Sequence, residues 1–216
     1  MKSMRQATVL VLPFAAALLA AGCTVLGGGK QRDPVTIFAP QVQVVPDPSW
    51  PEVQWQLSVV KPTAARVVDS PRIAVRPVPG ELQVYRGVAW SQPATDLVEA
   101  TVLRALEDSG RIRSVARSGS GIRADYKLVM DLRRFESDYA GAAVPSATIE
   151  LNAKLMHVSE QRVVASRTFL EAWPADGTDV ALVSAAFDRA LEKLAGDVVG
   201  WTLASGKADA DAARKR

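Results

Sequence analysis

Three successive strand-like segments late in the chain, two of them with apolar residues recurring at every second position, restrict the fold more than any other feature. In the first, Tyr126, Leu128, Met130 and Leu132 alternate with Lys127, Val129, Asp131 and Arg133. In the second, Ile149, Leu151, Ala153 and Leu155 alternate with Glu150, Asn152 and Lys154. The third runs from Val163 to Trp173 after the polar turn Ser159-Glu160-Gln161, and the stretch 139–143 joins the first two. A period of two sends successive side chains to opposite faces, so each segment has one apolar and one polar face. Such strands build a sheet covered on one side, with antiparallel neighbours.

The cover must come from helices, and the sequence predicts two. Between Pro93, suited to a first helical turn, and Gly110, suited to the position past the end, Ala94, Leu97, Val98, Val102, Ala105 and Leu106 recur at helical spacing. A longer helix is expected from Asp179 to Leu203, with a stripe of Val180, Val183, Phe187, Ala190, Leu191, Leu194, Val198 and Trp201. Asp188, Arg189, Glu192 and Lys193 form its wet face, and the segment 204–216, rich in alanine, lysine and aspartate, is expected to be a disordered tail. Ahead of the first helix, Val35–Phe38, Gln54–Val60, Arg72–Arg76, Leu82–Tyr85 and Val88–Trp90 read as strands, with a proline-rich connection through Pro40, Pro46, Pro48 and Pro51. Ile112–Val115 adds a brief one. The order implies one α/β domain over 35–203, a mixed sheet with helices packed against it.

The beginning of the chain belongs to no domain. Lys2 and Arg5 precede an apolar run from Val9 to Leu19, interrupted by Pro13 and too short to span a bilayer comfortably. Small residues then lead to Leu18-Leu19-Ala20-Ala21-Gly22-Cys23, and Cys23 is the chain's single cysteine. This is a secretory signal, residues 1–22, ending in a bacterial lipobox whose thiol is acylated. Residues 23–34, with Gly27-Gly28-Gly29, form a flexible tether. Thr24 rather than aspartate after the cysteine favours the outer membrane, with the domain facing the periplasm. One cysteine excludes an intramolecular disulfide, so stability rests on burial.

Charge and chemistry narrow the function by exclusion. The signal holds two of the 26 basic residues and none of the 23 acidic ones, leaving 24 against 23. A nearly neutral mature chain offers no case for nucleic acid. His157 is the one histidine, and with Cys23 acylated no multi-ligand metal site can form from histidine and thiolate. Ser58-Val59-Val60-Lys61 has the Ser-x-x-Lys spacing of penicillin-binding enzymes, but without their Ser-Asp-Asn and Lys-Thr-Gly motifs. Gly119-Ser120-Gly121 lacks the outer glycine of a nucleophile elbow, and there is no phosphate-binding glycine loop. Glu136 and Asp138 are placed at a solvated loop edge rather than as an acid–base pair. No cofactor is expected beyond the covalent lipid on Cys23. Met130, Leu132, Leu151 and Leu155 would line a lipid cavity if one existed, and otherwise fill the core. Tyr85, Trp90 and Trp173 fall at strand ends beside prolines, where large amphipathic side chains serve as partner contacts or as lids on the core. Trp50 and Trp55 raise the same choice.

Several of these stretches together resemble a known family. Arg72-Ile73-Ala74-Val75-Arg76-Pro77, Tyr85-Arg86-Gly87-Val88-Ala89-Trp90 and the Leu97–Gly110 helix are similar to the ABC-type transport auxiliary lipoproteins, the PqiC-like lipoproteins of MCE-domain lipid transport systems. Ala124-Asp125-Tyr126-Lys127-Leu128, Phe135-Glu136 and Arg167-Thr168-Phe169 resemble the second half of that family. The resemblance spans about Val35 to Leu203. It implies an α/β sandwich of the TolB amino-terminal-domain kind and a non-enzymatic outer-membrane subunit. It also implies docking on a periplasmic MCE-domain protein whose ABC transporter sits in the inner membrane. A ring-shaped partner would favour several copies, a homo-oligomer, around it.

Overall fold

The computed structural model describes residues 34–215. The signal segment, Cys23 and nearly all of the tether lie outside the described residues. From Val35 onward the chain forms one compact unit. Its strands are β1 (Thr36–Phe38), β2 (Val53–Val59), β3 (Thr63–Ala64), β4 (Ala74–Arg76), β5 (Gln83–Val84) and β6 (Val88–Trp90), followed by β7 (Ile112–Arg117), β8 (Tyr126–Asp138), β9 (Ser146–His157) and β10 (Arg162–Pro174). Two helices, α1 (Ala94–Asp108) and α2 (Val180–Ala213), complete it.

The alternating segments become β8, β9 and β10, paired antiparallel along their whole lengths as expected. The main path of the sheet is β10-β9-β8-β2-β7. The other edge of β8 is shared in relay by three parallel partners. β2 takes Tyr126–Leu128, β3 takes Asp131 and Leu132, and β4 takes Glu136–Asp138. The two-residue β3, just past Pro62, is too short to leave a pattern in the sequence. A register shift between Leu132 and Arg134 changes which parity of β8 faces the helices. Before it Leu128, Met130 and Leu132 are buried, and after it Phe135 takes their side.

Both helices lie on the apolar face, and the core is a single cluster between them and the sheet. Met130, Leu132, Leu151 and Leu155 are fully buried members of it, so they fill the core rather than line a cavity. Helix α1 ends as predicted, with Gly110 at φ +62° beyond Ser109, whose hydroxyl donates to the Leu106 carbonyl at 2.6 Å. The α2 stripe from Val183 through Val198 is buried. Asp188 departs from the expected wet face, because its Oδ1 is buried without a hydrogen-bond partner and burial raises its carboxyl above the ordinary value.

The expected disordered tail is corrected most clearly. Helix α2 continues ten residues past Leu203, to Ala213. Glycines on α2 give close approach to residues of the proline-rich segment and β2. A methyl group at Gly200 would stand 2.6 Å from Trp50 Nε1, and one at Gly206 would stand 2.4 Å from Trp55 Cζ2. Trp55 also meets Tyr126 edge-on, at 4.9 Å between ring centroids. Past Gly206, Asp209 accepts from the Tyr126 hydroxyl at 2.9 Å and from Arg162 at 2.7 Å. The helix is held to the sheet at both of these points, and so does not fray. Trp50 and Trp55 are therefore lids on the core.

Candidate docking surface

The structure separates the three aromatic candidates. Trp90 is 2% exposed, and its ring lies edge-on to Phe135 and Phe187 at 5.9 and 5.1 Å. It is a core residue with no surface to offer, which corrects the expectation of a partner contact. Its position at a strand end misleads because the ring turns inward, against Phe135 on β8 and Phe187 on α2. Tyr85 is half-buried, and its hydroxyl shares a 3.0 Å hydrogen bond with Ser137 Oγ. Burial raises its phenol above the ordinary value. Trp173 is 43% exposed near the end of β10. Ser137, Ala147 and Trp173 stand in one row across β8, β9 and β10, so Tyr85 and Trp173 share one end of the sheet.

The polar face carries an ion-pair network that sequence reading missed. Glu136 sits on β8 at 2% exposure, not at a solvated loop edge. Arg76 from β4 grips it with two parallel hydrogen bonds of 2.8 and 3.0 Å, and Arg134 adds a third at 2.7 Å while also pairing with Asp138. The hydrogen bond to Glu136 pushes the Arg76 guanidinium further above its ordinary value. Charge-assisted, bidentate contacts of this kind permit a carboxylate to leave water. The only sign in the sequence was the spacing Arg134-Phe135-Glu136-Ser137-Asp138, which puts three charges on one face of a strand. Beside the network lies a shallow pocket of about 250 Å³ lined by Arg134, Asp138, Tyr139, Val144, Thr148 and Leu170 among others.

Among the described residues, the sheet ends in a free edge. β10 is 13 residues long and is paired on one side alone, with β9. Ser166, Arg167 and Thr168 are exposed along it, and Leu170 is 58% exposed on the polar face. An unpaired edge of this length presents a row of backbone donors and acceptors to any strand that meets it. Arg167 lies over the Phe169 ring at 4.8 Å, and is the single charge between Arg162 and Glu171.

The catalytic candidates are distributed without a reacting geometry. Ser58 is buried within β2, and Lys61 pairs with Asp96 at 2.8 Å. His157 stacks edge-on to Tyr126, while its Nδ1 makes only 3.4 Å contacts with Ser159 and the Glu160 amide in an exposed turn. Among the described residues no group of three or more histidine, cysteine or acidic side chains is placed to hold a metal ion. No helix among them is long and apolar enough to cross a membrane.

Comparison with known proteins gives this arrangement its relatives. The family described as the ABC-type transport auxiliary lipoprotein component matches residues 36–199. The uncharacterized protein bll6063 of Bradyrhizobium diazoefficiens is 27% identical over 177 residues, 82% of this chain, and the chain spans about half (47%) of that relative's length. Among solved structures, protein XCC0632 of Xanthomonas campestris superposes with a TM-score of 0.80 at 62% identity, covering 82% of this chain and 99% of its own. Another, at 10% identity and a TM-score of 0.59, shares the fold alone. The family match runs from β1 through every strand and α1 into α2, over residues 36–199: the chain belongs to the ABC-type transport auxiliary lipoprotein family.

Proposed function

We propose that the protein is the non-catalytic outer-membrane subunit of an MCE/ABC-type intermembrane lipid transport system, docking on the periplasmic MCE-domain protein. The family match over residues 36–199 carries this reading. Membership makes the role auxiliary rather than catalytic and makes the protein a lipoprotein. With the Cys23 lipobox, this sets the domain at the outer membrane, facing the periplasm. The acyl chains on Cys23 supply the attachment, since each buried methylene contributes about 0.8 kcal/mol.

The free edge of β10, from Arg162 to Leu170, supports the docking part. An extended segment of the MCE-domain partner pairs with its backbone, and exposed Leu170 packs against side chains from that segment. The test is recovery of the acylated protein from crosslinked cells in mild detergent. An MCE-domain protein recovered with it is the expected result. Recovery of lipid with no transporter component would contradict the docking role.

A further inference from the structure

Six exposed large apolar residues gather at one end of the domain, where the described chain begins. Val35 and Ile37 are 56% and 64% exposed. Between them, the Thr36 amide donates to the Gly87 carbonyl at 2.9 Å. Two residues before Gly87, Tyr85 reaches Ser137, which stands in the row that ends at Trp173. Val144 lies in the β8–β9 connection, Val78 in the turn after β4, and Leu182 in the first turn of α2, close against Gly177. The opposite end also exposes Val158 and Val163, but sets them beside Glu160, Arg162 and Asp209, which pair with one another.

The anchor says which end meets lipid. Cys23 precedes Val35 by twelve residues, which reach at most about 40 Å when fully extended. Helix α2 runs away from this end for 34 residues, about 51 Å. The tether therefore reaches the membrane from the Val35 end and not from the far one. Aliphatic side chains around an indole suit the depth of lipid headgroups, where one end of the ring is apolar and the other wet. The charges nearby are of both signs, exposed Arg86 beside Gly87 and Asp176 and Asp179 ahead of α2, which matches a zwitterionic headgroup layer better than an anionic one.

We propose that this end of the domain rests on the surface of the membrane that holds Cys23, with Val35, Ile37 and Trp173 at headgroup depth. The inference depends on the protein being a lipoprotein and is independent of its protein partner. Trp173 then faces lipid instead of a partner, and the β10 edge below it stays open to the periplasm.

Full-length acylated protein in phosphatidylethanolamine–phosphatidylcholine vesicles, doped with a lipid brominated near its carbonyl, tests the seating by quenching of tryptophan emission. Trp50, Trp55, Trp90 and Trp201 pack against or within the core, so quenching should report Trp173. The expected result is quenching in the wild type, loss of most of it in Trp173→Phe, and recovery when Ile37→Trp is added to that variant. Vesicle-bound protein that is not quenched, or Trp173→Phe quenched as strongly as wild type, would overturn the proposal. Protein that does not float with the vesicles would overturn the lipoprotein reading itself, and this inference with it.

Discussion

Glu136 has exchanged water for two guanidinium groups, and the exchange is asymmetric. Removing Arg76 leaves the carboxylate still paired with Arg134, whereas removing Glu136 strips Arg76 of its partner and leaves Arg134 with Asp138 alone. Breaking a buried pair from its shared partner costs about 3–5 kcal/mol, and the partial exposure of both arginines favours the lower figure. Glu136→Ala should therefore destabilise the domain by about 3 kcal/mol, and Arg76→Ala by only about 1 kcal/mol. Urea titrations of the two variants check this, and equal losses would refute the shared-anion account. Sequence reading placed Glu136 at a solvated edge because the alternating pattern stops at Arg133, whereas β8 runs on through a register shift to Asp138. Trp90 misled for a related reason: the rings that bury it, Phe135 on β8 and Phe187 on α2, come from far downstream in the chain.

Among the elements, α2 shows what propensity can and cannot tell. Its buried stripe was legible from period and composition. Its last ten residues were not, because what orders them is distant: Trp55 on β2, Tyr126 on β8 and Arg162 on β10. Helix propensity alone would make Gly206→Ala favourable by about 1 kcal/mol. The new methyl would stand 2.4 Å from the Trp55 ring, which is itself held by Tyr126, and overpacking of that kind costs about 1–3 kcal/mol. The expected net effect is destabilisation; a rise in the melting midpoint would show that Trp55 moves aside freely.

Asp209 carries the pH dependence of the same contact. Burial opposes its charge, but hydrogen bonds from Arg162 and Tyr126 hold its carboxyl below the usual aspartate value. A folded value lower than the unfolded one, about 3.9, contributes stability above that pH and loses it as the pH falls through the folded value. Asp209→Asn should lower the melting midpoint near neutrality, and the difference from wild type should shrink below about pH 4. A difference that stays constant with pH would contradict the ionic part of the contact.

At the scale of the molecule, the sheet keeps β8 as its spine, β9 and β10 on one side and three short parallel strands on the other. The antiparallel half was legible because each strand is long, β8 and β9 alternate over most of their lengths, and a polar turn leads into β10. The parallel half was not, since strands of two to seven residues carry too little pattern to reveal their neighbours. The non-catalytic role rests on family membership, and the residue types agree with it: one histidine, one cysteine, and no nucleophile motif in its proper setting. The unpaired edge of β10 could not be read there, because an edge is a property of strand order. Two proposals take their direction from this layout: the end bearing Val35 and Trp173 toward the membrane, and the long side of β10 toward a partner.

The most direct test places a photocrosslinking amino acid at Ser166 on the β10 edge, and at Glu192 on α2 as a control, in cells that carry the complete transport system. Both positions are accessible, and neither side chain is a member of the core. The account predicts a crosslink to the MCE-domain protein from Ser166 and none from Glu192. Equal crosslinking from both positions, or from Glu192 alone, would contradict docking through the edge of β10.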